Sequence, residues 1–160
     1  MKKLFLAVAA IIITAASVNA QTTFSIAANA GSGTKTGYKL SAGGDVQVEF
    51  PATTGLKITA SAGYQNFAFE FTYPAPIGTI KDHFSVIPIL AGAKFNLGKA
   101  LYGHAQLGYS VSTTKGGGGE FTYAPSLGYG FGKSFDISAK YLSVGKVNAI
   151  LARLAYTFGN

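Results

Sequence analysis

Apolar and polar residues alternate with a period of two along most of the chain after residue 20. In the segment LKITASAGYQ (56–65), apolar residues occupy the even positions, and polar or small residues occupy the odd ones. The segments FDISAKY (135–141) and ILARLAYTF (150–158) repeat the pattern. Because successive side chains of a β-strand point to opposite faces, this alternation predicts strands with one apolar face and one polar face.

Eight segments show this pattern. We predict strands at residues 22–30, 40–50, 55–71, 84–95, 100–112, 120–131, 134–142 and 147–158. Their typical length is near the ~9–11 residues that a tilted strand needs to cross a bilayer. Short connections at 51–55, 96–99 and 132–133 alternate with mostly longer ones at 31–39, 72–83, 113–119 and 143–146. The pattern predicts an all-β fold: an eight-stranded antiparallel up-and-down transmembrane β-barrel with periplasmic termini.

The first twenty residues differ from the rest of the chain. They read MKKLFLAVAAIIITAASVNA, with a basic start, ten apolar residues and a small-residue stretch that ends at Ala20. This arrangement predicts a signal peptide over 1–20, since the apolar run is too short to span a membrane; the alternative is an N-terminal anchor helix. The mature domain is then 21–160, and its formal charge falls from +7 to +5 without Lys2 and Lys3.

The composition is that of a membrane protein without a spanning helix. Charged residues make up 12% of the chain, against about 25% in soluble domains, and the chain has no Cys. A disulfide framework is therefore excluded, although an exported protein could carry one. For a mildly basic exported chain, a lipid phosphate is a better acidic partner than a nucleic acid.

The positions of the aromatic residues indicate which face of the barrel points outward. A soluble, lipocalin-like barrel would place apolar residues inside, whereas a membrane barrel places them outside. Aromatics concentrate near the strand ends, which favours two girdles at the membrane interfaces. The predicted girdle residues are Phe24, Phe50, Tyr64, Phe84, Phe95, Tyr109, Phe121, Tyr123, Phe131, Phe135, Tyr141, Tyr156 and Phe158.

The opposite face supplies a predicted interior of small polar residues with a few charges of both signs. Ions in a narrow lumen must pair or stay hydrated. The predicted lumen charge network consists of Asp45, Glu49, Lys57, Lys94, Asp136, Lys140 and Arg153. His104 also falls on this face. No second His or Cys is close to it in sequence, which favours a hydrogen-bonded structural role over metal binding.

The tetrapeptide EFTY occurs twice, at 70–73 and 120–123. Both copies lie at the external ends of predicted strands, and Phe-x-Tyr places two rings on one face at headgroup level. The flanking sequences differ, so the same interface, rather than a domain duplication, explains both copies. Tyr64 and Phe67 differ in parity; a bulge near Gln65–Asn66 is therefore needed for Phe67, Phe69 and Phe71 to continue the outward face.

Few residues suggest chemistry. The segment GSGTKTG (31–37) lacks the spacing of a phosphate loop, and no cofactor-binding or metal-binding pattern is found, so we expect neither. Asp82, His83 and Ser85 supply the residue types of a hydrolase, but in one local run. An outer-leaflet lipid-modifying enzyme that uses Asp82 and His83 is therefore an alternative, and no catalytic residue is assigned.

The segment HFSVIPILAGAKFNLGKALYGHAQLGYS (83–110), with LKITASAGYQNF (56–67) and ILARLAYTF (150–158), resembles the small outer-membrane β-barrel family, called porin-family or OmpX- and OmpA-like. The resemblance covers essentially the whole mature chain. It implies insertion by the barrel-assembly machinery, with Leu154, Tyr156 and Phe158 as the assembly signal. The motifs are architectural and indicate no activity.

We therefore expect a non-enzymatic protein of the bacterial outer membrane with a structural or surface-interaction role. Outer-membrane lipid, including lipopolysaccharide, is the expected partner, and a monomer is the expected state. Eight strands leave little free bore. A narrow channel for small solutes remains an alternative, as does a soluble carrier of apolar ligands.

The outward apolar face generates the first prediction. The unboiled protein in the outer-membrane fraction should run faster in an SDS gel than the boiled protein, because a closed barrel resists unfolding by the detergent. The measurement is a gel of paired boiled and unboiled samples from the soluble and membrane fractions. A soluble periplasmic protein without a mobility shift would mean that the apolar face points inward.

Overall fold

The computed structural model describes residues 22–72, 74, 78–114, 117–132 and 134–158. Within them lie eight β-strands: β1 Thr23–Gly33, β2 Tyr38–Thr53, β3 Leu56–Thr72, β4 Thr79–Asn96, β5 Leu101–Ser112, β6 Gly119–Phe131, β7 Phe135–Val144 and β8 Val147–Phe158. Each strand pairs antiparallel with the next, and β8 pairs with β1. The predicted eight-stranded up-and-down barrel is confirmed.

Some of the predictions from the sequence concern residues that the structure does not describe. The signal peptide at 1–20, Tyr73 of the first EFTY copy and the final Gly159-Asn160 lie outside the described residues. In the part of the chain that the structure describes, no helix is long and apolar enough to cross a membrane.

The barrel has two distinct ends. Thr23 and Phe158 lie at the first, where β2 ends beside the start of β3, β4 beside β5, and β6 beside β7; we call it the terminal end. At the opposite, loop end, β1 ends beside the start of β2, β3 beside β4, β5 beside β6, and β7 beside β8. Gly55 and Gly145 have positive φ angles of 87° and 55° in the two-residue turns. Glycine adopts this conformation without the steric cost that a β-carbon adds, which suits it to tight turns.

Polar side chains fill the barrel, and apolar side chains cover its outside. Ser25, Thr59 and Ser110 are at most 1% exposed, whereas Leu107 is 61% exposed and Ile150 59% exposed. A soluble barrel would show the reverse arrangement. The predicted assignment of faces, apolar outside and polar inside, is therefore confirmed over most of the barrel, which favours a hydrocarbon environment.

Three strands extend well beyond the rest at the loop end. β2, β3 and β4 contain 16, 17 and 18 residues. β4 pairs with β5 only over residues 86–96, whereas its pairing with β3 continues to Thr79. Residues 66–72 and 79–85, with the start of β2 beside them, form what we call the projecting sheet. At about 3.3 Å per residue, its seven-residue strands extend roughly 20 Å along their own axes.

The predicted bulge near Gln65–Asn66 is wrong. The β3–β4 register is the same on both sides of these residues, from Leu56 opposite Phe95 to Thr72 opposite Thr79. The irregularities lie instead in the β2–β3 pairing, between Tyr38 and Ser41 and between Pro51 and Thr53 of β2. Phe67 therefore keeps the inward parity of Gln65, and it is 1% exposed.

This register also corrects the predicted place of Phe84 and Phe71. Phe84 is paired with Phe67 and stacks on it inside the barrel, with ring centroids 4.9 Å apart, so it is not a girdle residue. Phe71 shares the parity of Phe67 and continues the inward face above the barrel. The first EFTY copy therefore does not present Phe71 to lipid, whereas Phe121 and Tyr123 of the second copy are 57% and 43% exposed.

The inward side chains near the loop end form an apolar plug. Its members are Phe67, Val86, Leu90, Ala124, Leu142, Val144, Ala149 and Leu151. A small polar interior was expected along the whole barrel, and this expectation is wrong at the loop end. Runs such as SVIPILA (85–91) are apolar on both faces, so alternation cannot reveal which side chains point inward.

The plug generates a stability prediction. Phe67→Ala should lower the free energy of unfolding by about 3–5 kcal/mol, because it opens a cavity among closely packed neighbours. The matched control is Phe71→Ala on the same strand, where the ring is 38% exposed and the loss should be under about 1 kcal/mol. Urea unfolding in detergent micelles would measure both. Equal losses would contradict a packed plug at Phe67.

Candidate functional site

The terminal half of the lumen contains the charged residues, and the first cluster is centred on Glu49. Lys57 and Lys94 each donate to one of its carboxylate oxygens at 2.8 Å. Gln47 adds a hydrogen bond to the same carboxylate at 3.0 Å. The Glu49 side chain is only 3% exposed, so these donors replace the water that it loses on burial.

A second cluster is centred on Arg153 of β8. Its guanidinium donates through Nε and Nη2 to the Asp45 carboxylate, with the closest contact at 2.9 Å. Asn29 donates to the same carboxylate at 2.8 Å. Nη1 of Arg153 lies 3.5 Å from Asp136. This fork-like geometry suits a buried ion pair, because a planar guanidinium can serve two acceptors at once.

Asp136 connects the two clusters. Its carboxylate lies 4.0 Å from the Lys94 ammonium and also contacts Arg153. The Tyr102 hydroxyl donates a short hydrogen bond to Asp136, and the Lys94 ammonium lies 4.1 Å from the Tyr102 ring centroid. The acidic and basic groups thus form one continuous network across the lumen.

The structure places all seven residues of the predicted lumen charge network on the inward face. Six of them form ion pairs with one another. Lys140 is 7% exposed, and among the described residues no carboxylate lies within ion-pair distance of it. His104, also inward, is hydrogen-bonded through Nε2 to the Thr59 hydroxyl at 2.8 Å. Within the described ranges, no group of three or more His, Cys, Asp or Glu side chains could hold a metal ion.

Sequence reasoning missed three partners in this network: Tyr102, Asn29 and Gln47. Tyr102 shares the parity of His104 and Gln106, so alternation alone could have placed its ring inside the barrel. Tyr102 is among neither the predicted girdle residues nor the predicted lumen residues. Asn29 and Gln47 carried no signal, because an uncharged amide on an inward face is consistent with many partners.

The outward aromatics form two groups. Phe24, Phe95, Phe131, Phe135, Tyr156 and Phe158 lie at the terminal end, and Tyr64, Tyr109, Phe121, Tyr123 and Tyr141 lie toward the loop end. Rings pack across strand pairs, as in Phe24–Phe158 and Phe135–Tyr156, with centroids 6.0 and 4.9 Å apart. Phe50 has outward parity and is half-buried. The residues of the predicted assembly signal, Leu154, Tyr156 and Phe158, are 54%, 37% and 48% exposed.

The projecting sheet has an aromatic face that continues the inward face of the barrel. Tyr38 and Phe69 are paired across β2 and β3, with ring centroids 5.9 Å apart. Phe69 also contacts Phe71 and Phe84, at 5.8 and 6.5 Å. We call Tyr38, Phe69, Phe71 and Phe84 the aromatic stripe. Beyond the barrel this stripe has no opposite wall among the described residues.

The residues of the alternative catalytic site do not converge. Alternation along β4 places Asp82 on the face of Phe84, and it places His83 and Ser85 on the other face. The Ser85 hydroxyl oxygen is within hydrogen-bond distance of two donors, the Tyr64 hydroxyl at 2.7 Å and the Asn66 amide at 2.8 Å. The Asp82 carboxylate accepts from the backbone N–H of His83 at 2.7 Å. The side chains therefore do not adopt the nucleophile–base–acid order that a hydrolase requires.

Comparison with solved structures supports the architecture. Ail, the attachment invasion locus protein of Yersinia pestis, crystallised with the heparin analogue sucrose octasulfate, is 18% identical, with a TM-score of 0.52; the match covers 86% of this chain and 97% of that one. Ail in a phospholipid bilayer nanodisc gives 14% identity, a TM-score of 0.54 and coverages of 84% and 99%. A de novo designed transmembrane β-barrel is 11% identical, with a TM-score of 0.54; the match covers 84% of this chain and 94% of that one.

The chain has the fold of a small outer-membrane β-barrel. At these identities the likeness concerns the fold alone. No protein-family model matches the chain, and no curated protein matches it in sequence.

The Arg153 cluster generates the third prediction. Arg153→Met should lower the free energy of unfolding by about 3–5 kcal/mol, because the buried Asp45 loses its partner. Lys57→Met is the control: that side chain is 41% exposed and Glu49 keeps Lys94, so its loss should be under about 1 kcal/mol.

Urea unfolding in micelles would measure both variants and the double variant Arg153→Met/Asp45→Asn. The double variant should recover part of the loss, since it removes the buried charge that Arg153 neutralised. An Arg153→Met protein as stable as Lys57→Met would contradict a dependence of the barrel on this pair.

Proposed function

We propose that the chain is a non-enzymatic surface-interaction protein of the bacterial outer membrane. The barrel anchors the protein, and the projecting sheet meets partners outside the cell. The lumen residues serve the anchor, because the charge network and the apolar plug fill the interior between its two ends. The protein inserts as a monomer through the barrel-assembly machinery, with Leu154, Tyr156 and Phe158 on the terminal strand as the recognised residues.

The observation that carries this proposal is the free edge of β4 at residues 80–84. The last pair between β4 and β5 joins Val86 to Ser112, and Thr113 then donates its N–H to the Ser85 carbonyl at 2.9 Å. Beyond this point, no described strand pairs with residues 80–84 on that side. An exposed strand edge is a template for pairing with another chain. The neighbouring aromatic stripe supplies the side chains that most often anchor interfaces.

A lipid or saccharide contact is also consistent with the charges on this sheet. A shallow cavity of about 270 Å³ is lined by Lys39, Lys81 and His83, together with Glu70 and Asp82. Lys81 lies 3.9 Å from Glu70, so its ammonium is only loosely paired. We propose that Lys39 and Lys81 contact phosphate groups of outer-membrane lipid such as lipopolysaccharide, or sulfate groups of an acidic saccharide such as the heparin analogue bound by Ail.

The exposed apolar residues of the sheet generate a functional prediction. Bacteria that display the protein should adhere more to surfaces and to other cells than bacteria without it. Phe71→Ser combined with Ile80→Ser should remove most of this gain, because the two side chains, paired across β3 and β4 beside the open edge, are 38% and 48% exposed. The measurement is a count of adherent cells at matched expression.

The matched control is Leu97→Ser, an apolar side chain that is 54% exposed in the turn at the terminal end. It should leave adhesion unchanged. A mobility-shift gel must show equal amounts of folded barrel for each variant. If the Phe71/Ile80 variant adheres as well as the parent chain, the projecting sheet is not the interaction surface.

A further inference from the structure

A cup-shaped cavity of about 380 Å³ lies at the loop end, between the projecting strand β4 and strands β5 to β8. Its lining includes Phe84, Val86, Val144 and Val147. These four side chains belong to the inward faces of their strands. The cavity is therefore the open upper part of the lumen. It is separate from the shallow cavity that Lys39 and Lys81 line on the projecting sheet.

The floor of the cup is closed and mostly apolar, with Ser110 and Ser112 of β5 as its polar lining residues. Val86 and Val144 are 3% exposed and belong to both the cup and the plug, and Leu142 and Leu151 lie in the same cluster. Phe84 and Val147 are half-buried and pack against it. An apolar cavity of this size at a water-exposed end is suited to an apolar ligand group. Because the charge network lies below the plug, an occupant enters from outside and ends within the cup.

The rim of the cup has a cationic excess. Lys146 lines it, and the Lys35 ammonium donates to the Lys146 carbonyl at 2.6 Å, which places a second cation at the same turn. Glu120 lines the cup as the one acidic residue. A β-carbon placed at Gly145 would lie 2.6 Å from the Glu120 carboxylate, so this acid also lies against the turn. The rim therefore has two cationic residues, Lys35 and Lys146, and one acidic residue, Glu120.

We propose that this cup binds a single-chain amphiphile with an anionic head, of the fatty-acid class. The alkyl chain lies against Phe84, Val86 and Val147, and the carboxylate of the ligand lies at Lys146. The closed floor limits the length of chain that fits. A longer chain leaves methylene groups in water and gains nothing from the additional carbon atoms. The cup shares Phe84 with the aromatic stripe, but its proposed ligand is distinct from the partner at the open edge of β4.

The chain contains no Trp, so one introduced Trp is a unique fluorescent reporter. Phe84→Trp places it in the cup. Tyr123→Trp places it on the outer face, where the native ring is 43% exposed. Brominated decanoate is added to the mature protein in lipid nanodiscs. We expect saturable quenching of the Phe84→Trp protein and only gradual, non-saturating quenching of the Tyr123→Trp protein, which reports partition into the bilayer.

Charge variants in the Phe84→Trp background test the head group. Lys146→Gln should weaken binding about two- to fivefold, as expected for one exposed ion pair, and Glu120→Gln should strengthen it by a similar factor. Lys99→Gln at the terminal end is the control and should change nothing. Val147→Gln should abolish saturable quenching, since it introduces an amide into the apolar wall.

Three results would overturn the proposal. The first is quenching of the Phe84→Trp protein that does not saturate. The second is equal competition against the brominated probe by decanoate and by a decyl ammonium salt of the same chain length. The third is an affinity unchanged by both Lys146→Gln and Glu120→Gln. If Phe84→Trp does not show the mobility shift of a folded barrel, Val86→Trp provides a second reporter in the same cup.

Discussion

The barrel depends on one constraint: no backbone polar group can remain unpaired in the hydrocarbon of a membrane. The pairing of β8 with β1 meets this constraint, because it leaves the sheet without an edge at membrane depth. Closing eight strands then produces a lumen that side chains must fill. The ion pairs, the buried hydroxyl groups and the apolar plug are solutions to that filling problem. Only above the membrane, where water can bind an open edge, does β4 extend beyond its neighbour.

Alternation predicted a large part of this fold, because each side chain of a membrane barrel faces either lipid or lumen. It gave the eight strands, their order and the inward parity of Asp45, Glu49 and Arg153. It could not give the partners of those charges. Arg153 and Asp45 are 108 residues apart in sequence. Their pairing follows from the curvature of the closed sheet, which residue spacing along the chain does not reveal.

The wrong predictions occur where the environment does not separate the two faces. Residues 79–83 (TIKDH) are all exposed, so both faces of the strand have the same surroundings and no apolar side reveals it. Phe67 and Phe84 were read as membrane aromatics, but the barrel uses an aromatic pair to close its own interior. Ring type indicates apolar surroundings without distinguishing lipid from a packed lumen.

The contact of Arg153 with Asp45 has a consequence for how the seam between the first and last strands is joined. A slip of two residues along β1 and β8 would keep every side chain on its correct face, so the hydrophobic pattern cannot detect such an error. The ion pair is sensitive to such a slip. In the observed register Arg153 lies opposite Asn29, and both side chains donate to the Asp45 carboxylate. A slipped seam would leave a buried carboxylate without its guanidinium. The ion pair therefore favours the observed register of β1 and β8 over a slipped one.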